Sequence, residues 1–223
     1  HTRFRNVTGV QTCALPIWVT GIDISAPMLA TARERAAEAG LGITFLEADA
    51  TFHAFTPDYD LLFSRFGVMF FADPTVSFAN LRKAMKPSAR LAFVCWRALS
   101  ENAWAFAPYQ AAKHLLPAEA PADPYAPGPF AFAESARIAR ILGDAGYRAI
   151  AIEKLDTVMD MGATLDHAAK EALLIGPLAR AATNASEDVR ASIAETVKAR
   201  MAEFVRPEGV MPFAACWLVS AKL

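Results

Sequence analysis

Val19-Thr20-Gly21-Ile22-Asp23-Ile24-Ser25-Ala26-Pro27 decides how this chain folds. An apolar, partly β-branched run ends in an acid, and a hydroxyl, a small residue and a proline follow. Branched side chains favour strand. Ser25 is a residue type that caps helix N-termini, and Pro27 suits a first helical turn. The stretch therefore predicts a strand over Val19–Asp23 that feeds directly into a helix. Met28, Leu29, Ala32, Ala36 and Ala39 give that helix an apolar, small-residue stripe at helical spacing, and Gly40 closes it.

Working outward, the same alternation repeats. Strands are expected at Ile43–Glu47, 59–64 and 90–96, with a helix over 75–85 closed by Lys86-Pro87. The near-continuous apolar character of 59–64 implies burial on both faces. Beyond Arg97 a helix is expected over 102–116, then a stiff loop with prolines at 117, 121, 124, 127 and 129. A helix over 135–145 ends at Gly146, and a strand over 147–156 follows. Two alanine-rich helices over 165–183 and 187–204 precede a final strand over 211–220. Strands alternating with helices imply an α/β fold with a mostly parallel sheet. Residues 19–223 read as one domain with a helical insertion at about 160–207.

Composition narrows the function. Hydrophobic residues make up 54% of 223, which excludes a disordered chain. A net charge of −1 gives no general attraction for nucleic acid or anionic membrane. No apolar run reaches the roughly 18–20 residues of a membrane span. Cys95 and Cys216 fall in apolar strands without Cys-x-x-Cys spacing, which points to a reducing, cytoplasmic setting. No histidine, carboxylate or cysteine cluster has metal-ligand spacing, so no metal is expected. Neither a Gly-x-Ser-x-Gly elbow nor a phosphate-binding Gly-Lys-Ser/Thr is present. Oligomeric state has no sequence signature here.

The first seventeen residues, HTRFRNVTGVQTCALPI, have no apolar period, cap or turn logic. Residues 7–17 resemble a widely used short-read sequencing adapter translated in one frame. His1-Thr2-Arg3 fits its upstream part, and Phe4-Arg5-Asn6 stands where the variable index would be. Residues 1–18, with Cys13, are accordingly read as non-native and set aside. In open α/β folds an acid at a strand end follows a glycine-rich turn by about 20 residues. No such turn precedes Val19, so the parent gene is expected to continue upstream of it.

GIDIS, LEADA, YDLLFSRFGVMFFADP and LRKAMKPSARLAFVCW, in this order and spacing, resemble the class I S-adenosylmethionine-dependent methyltransferases. The likeness is strongest to the ubiquinone- and menaquinone-biosynthesis branch and covers 19–96 well. It continues more loosely through LGDAGYRAIAIEKLD to the last strand. The resemblance implies a Rossmann-like sheet of seven strands with the last antiparallel, here lacking the first strand and its glycine turn. It implies S-adenosylmethionine as cofactor and a small-molecule methyl acceptor.

The candidate residues follow. Asp23 ends a strand at the crevice, where a carboxylate accepts from both ribose hydroxyls. The alternative is a helix-start carboxylate interacting with the macrodipole. Ile24 and Met28 flank the adenine or pack in the core. The resemblance places the adenine amino group on Asp49 and a ring nitrogen on the Ala50 backbone; the alternative for Asp49 is a turn acid serving its own backbone. Phe52 covers the adenine edge or packs in the core. By the same resemblance Arg65, Phe66 and Gly67 border the methionine end of the cofactor, with Arg65 either pairing with a carboxylate of cofactor or substrate or facing solvent. Trp96, Arg97, Tyr109 and His114 are candidate substrate contacts, with Tyr125 and Phe130 beyond them; core packing is the preferred reading of Trp104. His53 and His167 are isolated.

The sulfonium brings its own activation, so positioning and desolvation supply much of the acceleration and no catalytic base is assigned. Two rivals remain at this point. One is a nicotinamide-dependent Rossmann dehydrogenase, which also uses an acid after its second strand. The other is a non-catalytic, methyltransferase-like interaction module. The chain as given, without the glycine turn, is expected to bind cofactor poorly.

Overall fold

The computed structural model describes residues 18–117 and 123–223. The adapter-like segment with Cys13, and 118–122 of the proline-rich loop, lie outside the described residues. The chain divides into two compact units, one ending at His53 and one running from Ala54 to Leu223. Each is described by itself.

In the first unit β1 (Val19–Asp23) and β2 (Ile43–Glu47) pair in parallel, from Val19 opposite Ile43 to Asp23 opposite Glu47. Helix α1 (Ala26–Glu38) connects them, and Ser25 Oγ accepts the Met28 N–H at 3.4 Å. The helix ends as its sequence dictates. Gly40 takes φ +65°, its N–H bonds the Ala37 carbonyl at 3.0 Å, and the Leu41 N–H bonds the Ala36 carbonyl at 2.8 Å. Only glycine enters that backbone region without a Cβ penalty. Leu29 and Ala36 are buried, whereas Met28 and Ala39, also placed on the apolar stripe, are exposed.

The second unit is built on a four-stranded sheet. Its strands are β3 (Tyr59–Arg65), β4 (Met85–Trp96), β5 (Arg148–Val158) and β8 (Phe213–Lys222), in the order β3-β4-β8-β5. β3 and β4 are parallel, and β8 is antiparallel to both of its neighbours. Three strands therefore run one way with the last inserted against them. Helices α2 (Pro74–Arg82) and α4 (Ser135–Asp144) contribute to the core on one face. There Phe78 meets Phe93 at 5.5 Å, Phe132 at 6.3 Å and Tyr147 at 6.2 Å between ring centroids. Helices α3 (Ala103–Ala112), α5 (Leu165–Ala172), α6 (Gly176–Ala181) and α7 (Glu187–Met201) pack with one another, and a two-residue hairpin, β6 (Val205–Arg206) and β7 (Gly209–Val210), leads into β8.

Three expectations are corrected. β3 is not buried on both faces: Leu61 and Phe63 are 50% and 66% exposed, and by register they share a face with exposed Leu218 and Leu155. An apolar run reveals strand but not which side is covered. Helix α2 stops at Arg82 rather than Met85, because Met85 pairs with Tyr59 and starts β4. The pairing then jumps from Tyr59–Met85 to Leu61–Arg90, so Lys86-Pro87 lies in a strand irregularity. The expected helix over 165–183 is broken between α5 and α6. Ile175 is extended, Gly176 takes φ +80°, and Pro177 has no N–H to continue a helix.

Cys95 and Cys216 are buried, unpaired thiols on neighbouring strands. Burial raises both, with the Cys216 charge adding to Cys95, and Cys216 is pushed up to about 11. Unfolded thiols ionise first, near pH 8.5. The stability these two contribute is therefore full below that value and declines as pH rises toward about 11. Iodoacetamide at pH 8 is expected to spare both in the folded protein and to alkylate both after denaturation, read by peptide mass spectrometry. Alkylation of either in the folded protein at the rate of a free thiol would contradict this burial.

Candidate functional site

Asp23 and Asp49 sit at the C-terminal ends of paired parallel strands, on one rim of the first unit. The Ala48 N–H donates to the Asp23 carbonyl at 3.0 Å, so the loop after β2 starts against the end of β1. Each carboxylate organises its own turn. Asp23 Oδ1 accepts from the Ser25 N–H at 2.8 Å, and Asp49 Oδ1 accepts from the Thr51 N–H at 2.7 Å. The Asp49 carbonyl also accepts from Phe52 and His53. These turns fix the direction of each side chain at the rim. A carboxylate has about four lone-pair sites, so hydroxyl or amino donors can be accepted beside the turn.

Large apolar side chains stand exposed on the same unit: Ile24 at 72%, Met28 at 64% and Phe52 at 80%. Core packing, one of the two readings of each, is not what they do. Ala50 is half-buried in the Asp49 turn.

In the second unit Arg65 closes β3 and Phe66 follows it with φ +60°, a left-handed backbone that a non-glycine residue holds at roughly 1–2 kcal/mol. The Phe66 N–H bonds the Val94 carbonyl at 3.0 Å, and its ring stacks on Trp96 at 4.1 Å and 11°. Trp96 meets Trp104 at 4.9 Å, and Trp104 lies near-parallel to Phe130 at 6.4 Å. Trp96 and Trp104 are buried, and Phe66 is half-buried. Gly67 starts a 3-10 turn in which Phe70 is exposed, while Phe71 packs edge-on to Phe78 at 5.8 Å.

Arg97 is a different case. Its side chain is only 7% exposed; Nη1 bonds Asp156 at 2.5 Å, Nη2 bonds Glu101, and the guanidinium lies over the Trp217 ring at 5.2 Å. Arg97 fastens β4 to β5 and to the turn before α3. Tyr109 is half-buried on α3, and His114 is exposed on the 3-10 turn that follows. His167 is exposed and 3.4 Å from Glu171. Tyr125 donates to Glu134 under the Arg137 guanidinium.

Asn102 was legible only as a helix start, yet its buried amide uses both of its donors and accepts twice. Its amide donates to the Arg97 and Ala98 carbonyls, and its oxygen accepts from Trp104 Nε1 and the Ala215 N–H. A shallow, open depression of about 520 Å3 lies between α4 and β5, lined by Ser135, Ala136, Ala139, Ile150, Ile152, Lys154 and Trp217. None of the residues expected from sequence lines it. Among the described residues no three His, Cys, Asp or Glu gather as a metal site, and no helix is long and apolar enough to cross a membrane.

Residues 7–93 match a methyltransferase domain. The chain carries the Rossmann-like class I methyltransferase fold. Over 75 residues it is 41% identical to a demethylmenaquinone methyltransferase of Thermus thermophilus, a stretch covering 33% of this chain and 34% of that protein. The chain thus matches about a third of that relative's length. The YcgJ protein of Bacillus subtilis superposes with a TM-score of 0.56 at 13% identity, over 92% of this chain and 82% of that one. Phosphoethanolamine N-methyltransferase 2 of Haemonchus contortus, solved with phosphomonomethylethanolamine and S-adenosylhomocysteine, gives 0.51 at 16% identity, over 92% of this chain and 43% of that one. At such identities the structural likeness carries the methyltransferase fold alone. The antiparallel β8 is where the resemblance places it.

Proposed function

We propose that this chain belongs to an S-adenosylmethionine-dependent methyltransferase that acts on a small organic acceptor. The observation that supports it most is the pair Asp23 and Asp49 on one rim of neighbouring parallel strands. The exposed apolar side chains Ile24, Met28 and Phe52 on that unit suit the flat faces of an adenine. The residues present therefore fit a nucleoside. Asp23 would accept from the ribose hydroxyls, Asp49 from the adenine amino group, and the Ala50 backbone would meet a ring nitrogen.

Bound S-adenosylmethionine supplies an electrophilic methyl group on a sulfonium. The chain's own part is to orient the cofactor and keep water out, which is enough when the acceptor is already a nucleophile. The assignments of Arg65 and Phe66 to the methionine end, and of Tyr109 and His114 to the acceptor, rest on the sequence reading; Trp96, expected at the acceptor, is buried between Phe66 and Trp104 and packs there instead. Arg97 is reassigned to holding β4, β5 and the α3 turn together. A cytoplasmic setting accords with two buried thiols left unpaired.

Calorimetric titration of the full gene product with S-adenosylmethionine tests the reading. Asp23→Asn keeps shape and removes charge; it is expected to weaken binding about tenfold, because hydrogen bonds to a carboxylate are roughly twice as strong as neutral ones. Asp49→Asn is expected to cost less, since one amino group rather than two hydroxyls is involved. Unchanged affinity in Asp23→Asn, with an unchanged circular dichroism spectrum, would sink the assignment.

A further inference from the structure

We propose that the depression between α4 and β5 binds an unbranched aliphatic carboxylate, with Lys154 and Ser135 holding the acid group and the chain lying along Ile152 and Ile150. The site shares no lining residue with those proposed for cofactor or acceptor, and it does not depend on that reading.

The first support is that the depression has two unlike ends. β5 carries Ile150, Ile152 and Lys154 on one face, because every second residue of a strand points the same way. The row from Ile150 to Lys154 runs about 13 Å, at roughly 3.3 Å per residue. Helix α4 doubles back into β5 through the short turn at 145–147, so its start, with Ser135, lies toward Lys154 and its later turns toward the isoleucines. Ala136 and Ala139 stand three positions apart on one helix face and are too small to fill the space beside the strand. The resulting volume of about 520 Å3 falls among those of small-molecule sites, about 300–1,000 Å3.

The second support is a cation without an anion. Among the described residues nothing pairs with the Lys154 ammonium or bonds the Ser135 hydroxyl. Of the acids nearby in sequence, Asp156 pairs with Arg97 at 2.5 Å, Glu134 accepts from Tyr125, and Glu153 lies on the opposite face of β5. Trp217 stands opposite Lys154 in the register and lines the same end. Its ring is fixed, since Nε1 donates to the Ala133 carbonyl at 2.8 Å and the Arg97 guanidinium lies over it.

An ammonium and a hydroxyl both donate, and a carboxylate is the acceptor-only group that takes both. The apolar walls beyond it favour methylenes, which gain free energy on leaving water. Lys154 is the one charged residue among the described lining, so a second acid group would find no partner. The depression is shallow, and a slender chain lies along it where a bulky body would stand out in solvent.

Hexanoate, octanoate, octan-1-ol and octylamine test this, titrated into the whole chain and followed by proton–nitrogen NMR at the Trp217 indole. Octanoate is expected to bind about fivefold more tightly than octan-1-ol. It is expected to exceed hexanoate by about threefold, because two more methylenes are partly covered. Octylamine is expected to bind more weakly than octan-1-ol. Lys154→Gln acts at an exposed position and is expected to bring octanoate down to the level of octan-1-ol. Ala139→Leu fills the groove from an exposed helix position and is expected to weaken octanoate about tenfold. Should it fail to fold, Ala136→Leu carries the same expectation. Equal binding of all four probes, an octanoate affinity untouched by either substitution, or no shift at Trp217 would overturn the proposal. None of these measurements involves S-adenosylmethionine. Failure here leaves the methyltransferase reading standing, and a chain that binds octanoate but not S-adenosylmethionine faults only that reading.

Discussion

Asn102→Ala is expected to lower the stability of the fold by about 3 kcal/mol or more, measured by urea unfolding. The side chain is fully buried and all four of its hydrogen-bonding positions are used. Truncation leaves the Trp104 indole N–H, the Ala215 N–H and the Arg97 carbonyl without this partner in a place water reaches poorly, while the Ala98 carbonyl keeps the Glu101 N–H at 2.9 Å. Each orphaned buried group costs about 1–3 kcal/mol, and partial relaxation recovers some of it. Asn102→Asp is expected to be no better, since it removes both donors and adds a buried charge. A loss below about 1 kcal/mol would mean that water or a backbone shift replaces the network.

Gly209→Ala is the second large effect. Gly209 opens β7 with φ +138°, outside the region that residues with a side chain adopt readily. A Cβ there would stand 2.7 Å from the Gly162 carbonyl oxygen and 3.3 Å from its carbon. The obstacle is backbone, and that backbone is tied down: the Val210 N–H donates to the same Gly162 oxygen at 2.9 Å, and Met161 bonds Val210 at 3.0 Å. The expected loss is about 3 kcal/mol, read as a drop of several degrees in melting temperature. Gly143→Ala in α4 is the control. Nothing lies within 4 Å of its Cβ position, and helix propensity favours alanine by up to about 1 kcal/mol. If both substitutions behave alike, the steric account of the hairpin is wrong.

The first unit was legible almost to the residue, because its boundaries are written in local chemistry: Ser25 caps, Pro27 enters the first turn, Gly40 turns left-handed. The second was less so wherever distant segments decide. Met85 continues a helical pattern in sequence, but its pairing with Tyr59 makes it strand. Leu61 and Phe63 read as core, yet coverage of a sheet face depends on elements far along the chain. The break at Gly176-Pro177 and the hairpin around Pro207 and Gly209 did carry local signals, and the alanine-rich helical pattern masked them. For the candidate site, strand-end acids stand out in a sequence, and this is why Asp23 and Asp49 are the residues proposed. The pairing of Arg97 with Asp156 spans 59 positions and has no local trace. Nor does the strain at Phe66, because the glycine that usually marks such a turn lies beside it.

β8 has a consequence for how the protein is made. It is an interior strand that lies between β4 and β5, joining Arg90 to Lys222 at one end. During synthesis β3, β4 and β5 emerge well before the strand that must separate two of them. Until it emerges, β4 and β5 present open ladders to any extended chain nearby. Pairings this distant in sequence form slowly. The nascent polypeptide therefore has its most vulnerable interval just before β8 is translated, when chaperone protection counts most.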